Sequence, residues 1–295
     1  MDDRGGRFEI RNLDGVGAEV LGVDLAQPMD DATFVAIERA YDDRGMLLFR
    51  NQRLTPAAHV AFSRRFGAVE VPTNRQYALD GMPEVYVVSN IVEGGRNIGN
   101  ADAGRVWHTD SSYMQVPSRG SLLHAIEVPR DADGQPLGDT LFASMTAAYD
   151  ALPCGMKRRC EGLEAVHDYT VQYERRLAKV RAAGGQRADL DGGTRAKVVP
   201  VVHPVIRRHP RTGRPCIYVN LAMVTAVVGM DEAAGLALRD ELVAFATQPR
   251  FVYRHRWNEG DLVMWDNTST QHLAIADYAL PQRRLMYRTT VAGMG

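Results

Sequence analysis

Apolar residues change their spacing repeatedly along this chain, and each change marks an element. Phe8–Leu13 and Ala18–Leu25 are short β-rich runs separated by Gly15 and Gly17, and they predict two opening strands. Asp30-Asp31 then caps a helix over residues 32–43, where Phe34, Val35, Ile37 and Ala40 fall near helical period and Gly45 ends the run. Met46–Arg50 (MLLFR) is a continuous apolar strand of the kind buried on both faces. Leu54-Thr55-Pro56 opens a second helix, with Thr55 as N-cap and Pro56 in the first turn, carried to Phe66 and stopped by Gly67. Residues Ala68–Pro83 read as a loop, Val85–Ser89 as a strand, and Gly94–Gly104 as a flexible glycine-rich approach to Val106–Tyr113. Ser121–Val128 is a strand, Pro129–Gly138 a loop and Asp139–Ser144 a further strand.

Helical spacing returns over Ala147–Leu152 and again from about Met156 to His167. Tyr169–Val199 begins as a helix and dissolves into glycine, charge and small residues, the composition of a surface lid or of a plain disordered excursion. Val199–Ile206 and Pro215–Asn220 form a hairpin around HPRTG, with Gly213 at the turn. Asp231–Thr247 is the longest helix signal, and Phe251–Trp257, Asp261–Trp265 and Leu285–Val291 are strands. Eight or more strands with interspersed helices and no regular β-α-β alternation argue against a doubly wound sheet. The pattern predicts a mainly β fold with flanking helices and a double-stranded β-helix (jelly roll, cupin-like) core, in a single domain over residues 1–295.

Composition narrows the function classes. A hydrophobic share of 45% and a charged share of 24% suit a globular chain, and a net charge of −1 offers no field for nucleic acid or a membrane surface. No apolar run approaches a membrane span, and the N-terminus lacks a secretory signal. Three cysteines (Cys154, Cys160, Cys216) without a CxxC pair read as reduced thiols, so a cytoplasmic location is expected.

Candidate chemistry centres on Val106–Tyr113 (VWHTDSSY). If this run is extended, His108 and Asp110 share one face, presenting an imidazole beside a carboxylate. Such a pair is more often an exposed polar pair; completed by a second histidine, it is the facial triad of non-haem Fe(II) oxygenases. His272, after the strand and turn of Met264–Gln271, is the candidate third ligand, although a lone histidine there is more often structural. In the following strand Arg284, Met286 and Arg288 point to one face, and two buried guanidinium groups require anions. Arginine binds carboxylates bidentately, which is what 2-oxoglutarate as cosubstrate of an Fe(II) site needs. His59 reads as a surface or half-buried helix residue, His124 as a core or sheet-face residue, and His255 as a polar-face residue with no acid beside it.

Taken together, WHTDSSY, the GDT of Gly138-Asp139-Thr140, HPRTGRPCIYVN, GDLVMWDN and PQRRLMYRTT resemble the taurine dioxygenase/2,4-dichlorophenoxyacetate dioxygenase (TauD/TfdA) family, in order from about residue 8 to residue 292. The resemblance implies an Fe(II)- and 2-oxoglutarate-dependent dioxygenase that uses O₂ and releases succinate and CO₂. It implies His108, Asp110 and His272 as iron ligands, Thr140 on a 2-oxoglutarate carboxylate and Arg284 on the other. Arg284 lies one residue further from His272 than is usual in the family, through Ala279, which leaves Arg283 as the register alternative. Arg288 corresponds to an arginine that contacts an anionic substrate; Ser112, Tyr113 and Arg75 are further candidates for the substrate side, a solvent-facing loop charge being as good a reading of Arg75. An aspartate at the carboxylate position argues against a halogenase.

The family oxidises small anions: aryloxyalkanoates, sulfonates, sulfate esters and amino-acid-like compounds. The histidine that sulfonate-specific relatives carry after the second helix is missing from Gly67–Tyr77, and FVYRHRWNEGDLVMWDN looks closer to the herbicide-cleaving branch. The expected partner is thus a small anionic molecule, with no nucleic acid or membrane, in a homo-oligomer (dimer or tetramer) as in relatives. Alternatives are a biosynthetic oxygenase acting on a larger metabolite and a cupin-type metal protein that is not an oxygenase.

Overall fold

In the computed structural model, which describes residues 8–72, 75–182, 189–190 and 192–294, two sheets wall a common interior. The larger has eight strands in the order Glu9–Asn12, Ala18–Leu21, Met46–Phe49, Leu262–Asp266, Gly120–Glu127, Leu285–Val291, Met82–Ser89, Ala78–Leu79. Opposite it, Thr140–Ser144 lies between Val252–His255 and Thr270–Ala274. This is the jelly-roll core expected from the pattern, and its neighbouring strands are antiparallel with one exception. Ala18–Leu21 and Met46–Phe49 run parallel, joined through the helix Asp31–Arg44, because a parallel pair needs a crossover connection.

The continuous apolar strands are explained by burial on both sides. In Met46–Phe49 and Leu262–Asp266, Met46, Leu48, Val263 and Trp265 face the interior beside Phe142 of the smaller sheet. Leu47, Phe49, Leu262 and Met264 face outward against Phe34, Ile37 and Tyr41 of the first helix and Phe62 of the second, Pro56–Arg64. A third apolar cluster lies behind the smaller sheet, where the helices Met145–Ala151 and Glu232–Ala246 pack on Ala143, Val224 and Val227. The caps follow the local rules: Asp30 accepts from Thr33 N, Thr55 from Ala58 N, and Gly45 closes the first helix at φ 73°.

Several expectations change. The second strand stops at Leu21 rather than Leu25. Ala68–Pro83 is not plain loop: Val69 bridges Val291, Arg75–Tyr77 is a 3₁₀ turn and Ala78–Leu79 begins a strand. The helix expected over Met156–His167 ends at Cys160, Gly162 turns the chain at φ 70°, and Glu164–His167 is the central strand of a three-stranded sheet. There, pairing on both edges with Val201–Pro204 and Val224–Val227 overrides a weak helical pattern. The hairpin around HPRTG is the shorter pair Ile206–Arg208 and Pro215–Ile217. Of the expected lid, Tyr169–Ala182 and Gly192–Lys197 are helical, while 183–188 and 191 lie outside the described residues.

Candidate active site

Val106–Tyr113 is not a strand. His108 forms an isolated antiparallel bridge with His272: His108 N donates to His272 O at 3.2 Å and His272 N to His108 O at 2.8 Å. Asp110 opens a turn in which Ser111 adopts φ 57°. The histidines meet as a cross-strand pair, with ring centroids 4.0 Å apart, and the turn brings Asp110 Oδ1 to 3.7 Å from His108 Nε2. Thr109, pointing the other way, donates to Asn267 O at 2.6 Å and so ties this segment to the turn that precedes His272.

His108 Nδ1 has two carbonyl neighbours, Val106 O at 2.9 Å and His272 O at 3.0 Å, so that nitrogen carries the proton and Nε2 keeps its lone pair. Burial holds the His108 imidazole below its ordinary range against the pull of Asp110. Burial, with His108 beside it, holds His272 well below that range too. His272 packs between Trp265 and Phe142, centroids at 4.7 and 6.0 Å, and its buried Nδ1 has no hydrogen-bond partner. Burial alone would raise the Asp110 carboxyl; the Arg288 guanidinium, His272, His108 and a 2.7 Å hydrogen bond from Ser121 outweigh it and hold it well below the usual range. The ligand atoms of His108, Asp110 and His272 all lie within 4.8 Å of one another. Two neutral imidazoles and an ionised carboxylate with their ligand atoms this close together fit a divalent iron.

Thr140 stands opposite Ala274, and Phe142, on the same strand face, stands opposite His272. Thr140 is buried, and its Oγ1 accepts a 3.0 Å hydrogen bond from Trp257 Nε1. The GDT turn presses on the arginine strand: a Cβ on Gly138 (φ +76°) would sit 2.9 Å from the Tyr278 ring and 3.6 Å from Arg284 Nε, so only glycine fits there. Arg284 is 4% exposed, its Nη1 donates to Tyr278 Oη at 3.1 Å, and its buried Nε has no partner. Among the described residues no acidic side chain is paired with it. Its backbone is fixed by Asn90, which accepts from Arg284 N at 2.8 Å, and by Ser89, which donates to Arg284 O at 2.7 Å. Arg283 turns outward, 52% exposed, to Glu127 at 3.0 Å.

Arg288 lies two residues beyond the interior-facing Met286. Its Nη1 is 3.3 Å from Asp110 Oδ1, its guanidinium lies 5.1 Å from the centre of the Tyr86 ring, and its buried Nε is unpartnered. Tyr113 packs on Tyr169, the first residue of the expected lid, with centroids 4.6 Å apart, and burial next to Tyr169 pushes its phenol up. Ser112 is fully buried, accepting from Asn220 Nδ2 at 3.2 Å. Arg75 is exposed on its turn and no described contact ties it to the triad.

Other histidines depart from expectation. His59 is buried, 3.1 Å from Thr289 Oγ1, because the second helix packs its face directly on the Leu285–Val291 strand. His255 is also fully buried and does have an acid beside it, Asp261 at 3.2 Å across the turn between two strands. Tyr278, Trp257, Ser121, Asn90 and Tyr86 were not singled out in the sequence. Only Tyr278 and Trp257 had a local signal, standing within the ADY and RHRWN segments that flank recognisable motifs.

A family model described as "Taurine catabolism dioxygenase TauD, TfdA family" matches residues 9–290. The alpha-ketoglutarate-dependent 2,4-dichlorophenoxyacetate dioxygenase of Cupriavidus pinatubonensis is 35% identical over 283 residues, spanning 92% of this chain and 93% of that protein. The (S)-phenoxypropionate/alpha-ketoglutarate-dioxygenase of Sphingobium herbicidovorans is 33% identical, spanning 97% and 95%. The crystal structure of AAD-2 in complex with Mn(II) and N-oxalylglycine superposes with a TM-score of 0.78 at 31% identity, covering 98% of this chain and 99% of that one. The chain, with its paired histidines, its aspartate and its jelly-roll walls, belongs to the TauD/TfdA family of Fe(II)- and 2-oxoglutarate-dependent dioxygenases.

Proposed function

We propose that this enzyme hydroxylates a C–H bond of a small anionic substrate of the aryloxyalkanoate type, with His108, Asp110 and His272 holding iron. The observation that carries the reading is Arg284, a buried guanidinium with no counter-ion among the described residues. An uncompensated buried charge costs several kcal/mol, on the order of 3–5, unless an anion meets it. A dicarboxylate reaching from the metal to Arg284 meets it, and Thr140 offers that dicarboxylate a hydroxyl on the way. Bound Fe(II), 2-oxoglutarate and O₂ supply the oxidative chemistry that puts one oxygen into the substrate and converts 2-oxoglutarate into succinate and CO₂.

The chain's own residues place and shield the reactants. His108 Nδ1–H, held by two carbonyls, aims Nε2 into the site. Trp265 and Phe142 exclude water from the His272 side. Arg288 receives the substrate anion, and Tyr86, Tyr113 and Tyr169 offer ring surface for an aryl group. Ser112 supports that side from behind through Asn220, Arg75 is an outer anchor, and the Tyr169–Val199 segment is a lid on a single domain. The relatives named above act on aryloxy acids, which supports the same substrate class.

No helix among the described residues is long and apolar enough to cross a membrane. We place the enzyme in the cytoplasm, where its three free cysteines stay reduced, as a dimer or tetramer measurable by light scattering. The deciding experiment is a panel of aryloxyacetates, both enantiomers of 2-aryloxypropionates, alkyl sulfates and sulfonates, assayed for substrate-dependent succinate. Release with aryloxy acids is expected, and release confined to sulfonates overturns the substrate reading.

A further inference from the structure

Trp257 is fully buried in the apolar cluster that holds Leu48, Val263 and Met286. The edge-to-face packing of His255, 90° at 4.4 Å, fixes its ring plane, and His255 is itself held near Asp261 at 3.2 Å. Asp261 is in turn paired with Arg50 of the neighbouring strand end. A buried indole N–H must find an acceptor, and the one that Trp257 reaches is Thr140 Oγ1 at 3.0 Å.

That bond constrains the other half of the hydroxyl. A threonine hydroxyl has one proton to donate and two lone pairs. With one lone pair taken by the indole, the proton points away from Trp257, and among the described residues it is donated to no protein acceptor. On its strand face Thr140 is adjacent to Phe142, which stands opposite His272, and it follows Gly138, which abuts Arg284. We propose that Trp257 is a positioning residue for the cosubstrate: by occupying Thr140 Oγ1 as a donor, it turns the threonine hydroxyl proton toward the carboxylate bound between the metal triad and Arg284. Without the indole N–H, the hydroxyl is free to rotate, and a fixed donor becomes one of several rotamers. The inference rests on the assignment of Thr140 to 2-oxoglutarate made above.

The test is calorimetric titration of 2-oxoglutarate into Mn(II)-loaded protein, with Mn(II) affinity in its absence as the control that the barrel is intact. Trp257→Phe removes the donor, and replacement of Trp257 by β-(3-benzothienyl)alanine removes it while keeping the ring's shape. Both should weaken 2-oxoglutarate by about 3- to 10-fold, the loss of one oriented hydrogen bond, with Mn(II) affinity unchanged. Thr140→Val should weaken it at least as much, and Thr140→Val with Trp257→Phe no further, because the indole acts only through the hydroxyl. In turnover the loss should appear in KM for 2-oxoglutarate and not in KM for the substrate. Wild-type 2-oxoglutarate affinity in the benzothienyl protein, or additive losses in the double variant, overturns the role of Trp257. Unchanged affinity in Thr140→Val overturns the assignment of Thr140 itself and this inference with it.

Discussion

Nη1 of Arg288 stands 3.3 Å from Oδ1 and 3.4 Å from Oδ2 of Asp110, so the arginine offered to the substrate also touches the carboxylate offered to the metal. Replacing it should therefore be felt at both ends. Arg288→Met is expected to raise KM for an anionic substrate on the order of 10- to 100-fold, the worth of a charge-assisted hydrogen bond. The same change removes the main influence that holds the Asp110 carboxyl low, so its pKa rises. Since the metal needs the ionised carboxylate, Mn(II) binding in the variant should be lost at a higher pH than in wild type. Metal titrations across pH 4–8 measure the shift, and superimposable curves would refute the coupling.

Arg284 and Arg283 are sequence neighbours with opposite surroundings. Arg284→Met should weaken 2-oxoglutarate on the order of 100-fold or more, because a buried charge contact is lost. It should also leave the ligand-free protein as stable as wild type or more so, since a buried guanidinium with no counter-ion among the described residues is removed. Arg283→Ala breaks only an exposed pair with Glu127 and should change stability by about 1 kcal/mol or less, with cosubstrate affinity intact. Cosubstrate titrations and denaturant melts of the two variants decide the matter; equal effects would mean that Arg284 is not the carboxylate clamp.

The cross-strand meeting of His108 and His272 makes a separate claim on the ligand set. His108→Ala, Asp110→Ala and His272→Ala should each abolish turnover and lower Mn(II) affinity by about 10- to 100-fold or more, while far-UV circular dichroism stays that of the wild type. Full activity in any one of them removes that residue from the set.

Acid should loosen the fold before it reaches the carboxylates. Burial, with His124 beside it, pushes His59 down to about 3, and burial, with His203 and Arg207 nearby, pushes His167 down to about 3. Their folded pKa values lie below the unfolded value near 6.5, so between those limits the unfolded chain binds more protons. Stability should accordingly be full above about pH 6.5 and fall as pH drops toward 3, at up to about 1.4 kcal/mol per pH unit for each histidine. Urea melts at pH 7.5, 6, 5 and 4 test the slope, and His59→Gln should flatten it. An unchanged slope in that variant would show that His59 is not a source of it.

The alternation of the strands, the doubly buried run MLLFR, the helix caps at Asp30 and Thr55 and the glycine stops are all short-range physics, and they were legible residue by residue. The three metal-ligand candidates were legible too, but for a reason that the structure corrects. His108 and Asp110 do not share a strand face; a bridge to His272 and a left-handed Ser111 bring them together. Likewise Glu164–His167 looked helical, because nothing local in EAVH announces the two edges that claim it.

What the sequence by itself determined was therefore the inventory: a β-rich barrel, a histidine–aspartate pair, a later histidine, and two arginines on one stretch of chain. Local periodicity and residue chemistry carry that information, since each signal spans only a few positions. Tertiary structure decided which arginine is buried, that Arg288 touches Asp110, and that Trp257 reaches Thr140 from the segment just past the neighbouring strand Val252–His255. Those relationships join positions far apart in the chain, which no local signal specifies, and a one-residue slip of the Leu285–Val291 strand would turn Arg288 to the opposite face.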